Sequence, residues 1–234
     1  MIKFIKKIQA LALEILFPLK CLGCKIPNTL LCAKCFNKIP LNQTLFCADC
    51  NRRLAQNKKI CHLKTAFVLA AAGSYENDIL RELILTFKYK KLKPVAGILA
   101  EILNRYIKNL NLDFKKYEII PIPLHQIRQK ERGFNQAELI ANTLIAVNSN
   151  LRKSHFLRLK RIKNNRPQAQ IKNHNQRQEN IRDCFQVVNP EKIKGKNIIL
   201  LDDVSTSGAT LEEAAKMLKK SGAKKIIGLV IAKK

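Results

Sequence analysis

The densest chemistry in the 234-residue chain is one run of nine residues, Asp202-Asp203-Val204-Ser205-Thr206-Ser207-Gly208-Ala209-Thr210. The apolar stretch Ile198–Leu201 leads into it and a helical pattern follows, which predicts a buried strand, a loop and a helix. A loop of small residues in that position leaves backbone N–H groups unpaired and aimed at one spot, with the positive end of the helix dipole behind them. That arrangement suits a phosphate. The hydroxyls of Thr206, Ser207 and Thr210 add donors to the backbone of Ser205, Gly208 and Ala209. Asp202 and Asp203 at the strand end can accept hydrogen bonds from vicinal hydroxyls such as those of a ribose. The plainer reading of the two acids is a metal pair or a charge at the helix N-terminus. A Walker phosphate loop is excluded, because it needs Gly-Lys-Ser/Thr, which this run lacks.

Cysteine spacing carries a second chemistry. Seven of the eight cysteines lie between residues 21 and 61, and six of them form the C-x-x-C pairs Cys21/Cys24, Cys32/Cys35 and Cys47/Cys50. Two such turns bring four thiolates onto one tetrahedral Zn²⁺ at ~2.3 Å, so Cys21, Cys24, Cys32 and Cys35 are expected to form a zinc site. Gly23 is expected to ease a positive-φ step in the first turn. A second zinc at Cys47 and Cys50 needs two more ligands from Cys61, His62 or the distant Cys184, and ligation by the adjacent Cys61 and His62 demands an awkward backbone. Disulfides are the competing use of the cluster, favoured in secreted domains, but the sequence shows no convincing secretory signal. Residues 21–64 hold too few apolar side chains for a core, so metal is expected to staple them. Direct contact with nucleic acid is compatible with that role.

The elements that must position these groups follow from periodicity. From Thr65 onward, strands and helices alternate: strand 66–73, helix 77–88, a helix from Pro94 to about 108, strand Glu118–Ile122, helix 135–147, strand Asn197–Leu201, helix 210–220 capped by Gly222, and strand 225–232. Such alternation predicts an α/β fold. At the amino terminus, Met1, Phe4, Ile8, Leu11 and Ile15 share one face of an amphipathic helix ending before Pro18. Packing on the rest of the protein and lying on an anionic bilayer are the two readings of that face. No apolar run is long enough to predict a spanning helix. With 44 Lys+Arg against 17 Asp+Glu, the net charge of +27 points to polyanions, part of it reflecting a Lys-, Ile- and Asn-rich composition. Hydrophobic content of 47% excludes a disordered chain.

The run Ile198–Thr210 resembles the motif with which type I phosphoribosyltransferases bind phosphoribosyl pyrophosphate (PRPP). Pro121-Ile122-Pro123-Leu124-His125, then Arg128, Lys130 and Arg132-Gly133-Phe134-Asn135-Gln136-Ala137-Glu138, resembles the signature of the ComF/GntX family of competence-associated proteins. The resemblance covers roughly 17–232. It implies a helix at 1–20, a zinc ribbon over 21–64 and, over 65–234, a type I phosphoribosyltransferase-like domain with a central, mainly parallel sheet. It further implies that Asp202 and Asp203 hold the ribose hydroxyls of PRPP, Asp203 also near Mg²⁺, while Ser205 to Thr210 cradle the 5′-phosphate. Leu124 and His125 would stand at the tight turn of a pyrophosphate loop, with Arg132 supplying positive charge; His125 is otherwise a plain surface residue. Residues 158–182 would be a mobile basic hood. Over 151–182 there are ten Lys/Arg and one Glu, too lopsided for a salt-bridged surface. Arg158, Arg161, Lys163, Arg166 and Lys172 are its candidate contacts to single-stranded DNA.

Two departures from the resemblance weaken a base-salvage reading. Thr206 stands where 6-oxopurine phosphoribosyltransferases carry an Asp that accepts a proton from the base. The sequence also ends soon after the strand expected at 225–232, so a base pocket is expected to draw on another segment such as 66–92. Two functions follow from the resemblance. One is a DNA-uptake protein binding single-stranded DNA and PRPP at the cytoplasmic side, either free or peripheral at the inner membrane beside other uptake proteins. The other is an enzyme transferring phosphoribose from PRPP. Phe87, Tyr89 and Phe134 are the candidates for stacking on bases, with core packing the simpler role for Phe87.

Overall fold

The computed structural model describes residues 19–54, 61–62, 65–110, 112–154, 158–165, 171 and 173–234. The helix expected at the amino terminus therefore lies outside the described residues, as do Arg166 and Lys172.

The Cys-rich part contributes α1 (Ala33–Asn37), β1 (Leu45–Cys47) and β2 (Arg53–Leu54). There follow β3 (Val68–Ser74), α2 (Asp78–Tyr89), α3 (Val95–Lys108), β4 (Tyr117–Pro121), α4 (Gln126–Arg132), α5 (Gln136–Val147) and β5 (Arg152–Lys153). The chain closes with β6 (Arg158–Arg161), α6 (His174–Ile181), β7 (Phe185–Val188), β8 (Asn197–Ser205), α7 (Ala209–Lys220) and β9 (Lys225–Lys233). Caps set the helix starts that periodicity left open. The Asn77 side chain accepts from Leu80 N–H at 3.0 Å, and Asn135 accepts from Ala137 N–H at 3.1 Å.

Seven strands form one sheet in the order β2-β1-β3-β9-β8-β4-β5. Every pairing from β3 to β5 is parallel, whereas β1 runs antiparallel to both of its neighbours. The α/β fold with a mainly parallel central sheet is thus present. Both sheet faces are covered, which is why its strands read as continuous apolar runs. Alternate residues serve opposite layers: Ile199 and Leu201 pack with α2, α3 and α5, while Ile198 and Leu200 pack with α7 and the β6–β7 hairpin. Parallel pairing also brings the carboxyl ends of β3, β9, β8 and β4 to one edge, the place where open α/β sheets bind ligands.

Two segments carry more structure than the sequence reading expected. The stretch after β4 winds into α4, and the basic stretch 158–182 contains β6 and α6, with Arg158 opposite Val188 and Arg161 opposite Phe185. A run of cations hides strand alternation, because the period is visible only when one face is apolar. The Cys-rich part is joined to the rest by backbone and side chains alike. Besides β1–β3 pairing, the Tyr106 hydroxyl on α3 donates to the Thr44 carbonyl at 2.8 Å, and the Arg105 guanidinium lies 4.2 Å from the Phe36 ring centroid.

Candidate functional site

A cleft of about 320 Å³ opens at the carboxyl edge of the sheet. Asp202, Asp203 and all of Ser205 to Thr210 line it, so the nine-residue run does converge on one space. Gly208 holds φ +75° at the N-cap of α7 and offers no side-chain cap, leaving the helix N-terminus to face the cleft. Asp203 is 7% exposed, and its Oδ1 lies 2.8 Å from the Lys88 ammonium on α2. Burial opposes the charge of Lys88, but the Asp203 carboxylate outweighs it and holds the ammonium above its usual pKa. Burial, reinforced by the charge of Asp203, raises the neighbouring Asp202 to about 7 against the pull of Lys88.

Cations from three other elements surround the acids. Arg128 and Arg132 of α4 and Arg177 of α6 line the cleft. Arg177 donates to the Thr206 hydroxyl at 3.0 Å and to the Ile171 carbonyl at 2.6 Å. Arg132 donates to the Gln136 side-chain oxygen at 3.0 Å, and Arg128 donates to the Asn165 carbonyl. Arg161 is half-buried, 5.8 Å from the Phe185 ring, and its Nε and Nη2 have no hydrogen-bond partner among the described residues. Burial holds its pKa down, and so does the charge of Arg132. Orphan guanidinium donors beside two further arginines make this side of the site receptive to an anion.

The remaining residues singled out from sequence are placed differently. Leu124 and His125 do not line the cleft; His125 is the N-cap of α4, its ring Nδ1 accepting from Ile127 N–H at 3.4 Å. Lys163 is exposed and donates to the Arg182 carbonyl at 3.2 Å. Phe87 is fully buried and Phe134 packs on it at 5.3 Å, whereas Tyr89 is 63% exposed and lines the cleft with Tyr75 and Leu85. Sequence reasoning missed Lys88, Tyr75 and the cleft-lining role of Arg177. Lys88 follows a core residue on an ordinary amphipathic helix, and nothing local marks a lysine that will meet an acid on a strand far along the chain.

Both Cys-rich clusters are complete. The donor atoms of Cys21, Cys24, Cys32 and Cys35 lie within 4.8 Å of one another, as do those of Cys47, Cys50, Cys61 and His62. All eight cysteines are free thiols. Closest approaches are 3.6 Å for Cys24–Cys32, 3.3 Å for Cys50–Cys61 and 3.5 Å between Cys47 Sγ and His62 Nδ1. A tetrahedral site with ~2.3 Å zinc–sulfur bonds separates its sulfurs by ~3.8 Å, so the spacing is consistent with zinc. Four thiols this close resist ionising together. Cys21 falls to about 6 because backbone N–H donors outweigh its burial, while burial and neighbouring sulfurs push Cys35 up to about 12. A divalent cation removes that conflict. Cys61 and His62 both reach the second cluster despite being adjacent, and Cys184 stays apart, its thiol 2.9 Å from Asn165 Oδ1.

The positive-φ steps fall one residue beyond each turn, on Lys25 (φ 65°) and Asn51 (φ 57°), rather than on Gly23. Gly23 is needed for a different reason: a Cβ there would stand 2.7 Å from Cys35 Sγ.

Comparison with known proteins bears directly on the cleft. The family model for the phosphoribosyl transferase domain matches residues 94–234, which include the acids, the small-residue loop and all four arginines around them. The chain belongs to the phosphoribosyl transferase domain family. Lys88, Tyr75, Tyr89 and both Cys clusters precede the matched phosphoribosyl transferase domain. Among relatives, the chain is 34% identical over 154 residues to Competence protein ComFC of Bacillus subtilis, covering 62% of this chain and 56% of the relative. It is 27% identical over 230 residues to Competence protein F of Haemophilus influenzae, covering 90% and 95%. It is 25% identical over 223 residues to DNA utilization protein YhgH of Escherichia coli K12, covering 82% and 92%. These relatives bear out the ComF resemblance; in this chain the phosphoribosyl transferase domain follows the Cys-rich segment. No helix among the described residues is long and apolar enough to cross a membrane.

Proposed function

We propose that this ComF-type protein acts in DNA uptake, binding PRPP with Mg²⁺ in the cleft above β8 and single-stranded DNA on its basic surface. The observation that carries the reading is the convergence of a diacid, a capless helix N-terminus and a ring of guanidinium groups on one cleft. Asp202 and Asp203 would take the ribose hydroxyls, the loop 205–210 the 5′-phosphate, and Arg128, Arg132 and Arg161 the diphosphate. Zn²⁺ in both Cys-rich clusters would fold the amino-terminal part. Support for the DNA half comes from the net charge of +27 and from relatives named for competence and DNA utilization. The reading places the protein in the cytoplasm, with other uptake proteins at the inner membrane as partners.

The test is a salt titration of single-stranded DNA binding by the zinc-loaded protein, with and without PRPP and Mg²⁺. If five cations contact phosphates, log K falls against log salt with a slope of about −3.5, so a fourfold rise in salt costs about 100-fold in affinity. A flat salt response with PRPP binding intact would remove the DNA half alone. Absence of PRPP binding would remove the cleft reading.

One observation favours a second reading, transfer of phosphoribose to an acceptor. Asp202 sits near 7, where a carboxylate is suited to take a proton at neutral pH, and the arginines suit a leaving pyrophosphate. Against base salvage of the 6-oxopurine kind, Thr206 offers no carboxylate and is hydrogen-bonded to Arg177. Pyrophosphate release from PRPP across a panel of bases decides between binding and transfer.

A further inference from the structure

The paired acids of the cleft are not bare. Asp203 Oδ1 lies 2.8 Å from the Lys88 ammonium, and Asp202 Oδ1 accepts from the Asp203 backbone N–H at 2.8 Å, so one oxygen of each acid is already committed. The ion pair is largely buried, with the side chains of Lys88 and Asp203 only 19% and 10% exposed. Lys88 follows the fully buried Phe87 and stands four residues after the buried Ile84, so the core face of α2 fixes the place from which its side chain starts.

Two adjacent acids at a strand end are a natural ligand set for a hard divalent cation, and the resemblance to phosphoribosyltransferases puts Mg²⁺ near Asp203. The residues present fit a different use of Asp203. Five cations line the cleft, Lys88, Arg128, Arg132, Arg177 and Lys234, against the two acids. A free divalent ion is repelled on approach and meets an Asp203 already neutralised at contact distance. Salt does little to loosen the contact, because a largely buried pair is screened less than a surface one. Lys88 precedes residue 94, so the matched domain receives this cation from the part of the chain ahead of it.

We propose that the Lys88 ammonium takes the place of a divalent cation at the diacid, so that Asp203 is closed to Mg²⁺ and the cleft recognises a ribose phosphate without one. The inference rests on the reading of the cleft as a ribose-phosphate site, and it makes Lys88 the residue that sets metal dependence there. A carboxylate has lone pairs to spare, so Asp203 can accept from Lys88 and from a sugar hydroxyl together. A divalent ion on the same oxygens would instead bring its own waters and demand octahedral geometry. Any Mg²⁺ that accompanies a diphosphate would then be held by the ligand's oxygens rather than by Asp203.

Electron paramagnetic resonance with Mn²⁺, a probe for Mg²⁺ at oxygen ligands, tests this on the full-length, zinc-loaded protein. Lys88→Met and Lys88→Gln are each expected to raise Mn²⁺ affinity about tenfold or more over the native protein, since they unmask a carboxylate and remove a positive charge. Adding Asp203→Asn should take that gain away. Lys88→Arg keeps the charge while changing the shape, and should stay at the native level; a gain there overturns the proposal by assigning the effect to disturbed packing. Calorimetry should find that ribose 5-phosphate binds the native protein equally with and without Mg²⁺, and that the two neutral variants come to need the cation. Native protein that binds Mn²⁺ as tightly as Lys88→Gln overturns the proposal, as does native binding of ribose 5-phosphate that strengthens about tenfold with Mg²⁺. If neither neutral variant folds, that native titration decides alone. If ribose 5-phosphate and PRPP fail to bind under every condition, the cleft reading itself has failed, and the Mn²⁺ comparison still decides what Lys88 does.

Discussion

Asp202 and Asp203 are adjacent in sequence but have separate environments. Asp203 meets Lys88 at 2.8 Å, with the two side chains 10% and 19% exposed. Removing one member of a largely buried pair leaves the other uncompensated, so Lys88→Met is expected to cost about 3 kcal/mol in a denaturant titration. Asp203→Asn on that background should recover part of the loss. Asp202, desolvated and beside another acid, titrates at about 7 when folded. An unfolded aspartate titrates near 3.9, so the native chain binds the extra proton between about pH 4 and 7. This contribution to stability is complete below about pH 4 and is lost as pH rises through 7. Asp202→Asn should therefore gain stability relative to the native protein on going from pH 5 to pH 8, measured by urea unfolding at each. The acids themselves were legible because strand, loop and helix surround them in sequence. Lys88 was not, since its partner lies more than a hundred positions away.

At the scale of elements, two turns and one short helix assemble the metal sites. Cys32 is the N-cap of α1 and Cys35 lies within it, while Cys21/Cys24 and Cys47/Cys50 sit on turns that end in Lys25 and Asn51 at positive φ. If both clusters bind zinc, metal analysis should find about two ions per chain, and Cys61→Ser should lower this to about one. Gly23→Ala should damage the first site with all four cysteines in place, because the added methyl meets the Cys35 sulfur. Unchanged metal content in that variant would mean the turn can shift. The C-x-x-C spacing announced the first site. Completion of the second depended on the fold bringing adjacent Cys61 and His62 back to β1, which spacing alone does not settle.

At the scale of the molecule, the parallel sheet gathers four strand ends at one edge, and helices from distant parts of the chain close around them. α6 and the turn that follows it are held to α7 by Gln178 Nε2 donating to Glu212 at 3.3 Å and by Asp183 N–H donating to Glu213 at 2.9 Å. These contacts keep Arg177 over the phosphate loop. Arg177→Ala is therefore expected to weaken PRPP binding about tenfold, the scale of one charge-assisted hydrogen bond, by calorimetry. Single-stranded DNA binding should change little, since Arg177 is turned into the cleft; an equal loss of both would mean that strand and PRPP share it.

Local chemistry by itself determined the α/β class, the strand–loop–helix that carries the acids, and the first set of thiol ligands. Each depends on residues close in sequence, where periodicity and spacing are direct records of geometry. The tertiary structure alone decided that Lys88 pairs with Asp203, that His125 caps a helix, that Arg161 keeps donors unpartnered among the described residues, and that Tyr75 and Tyr89 wall the cleft. Those outcomes depend on which strand lies beside which and which helix face is left over after the core is filled. Long-range packing sets both, and no single segment of the chain encodes them.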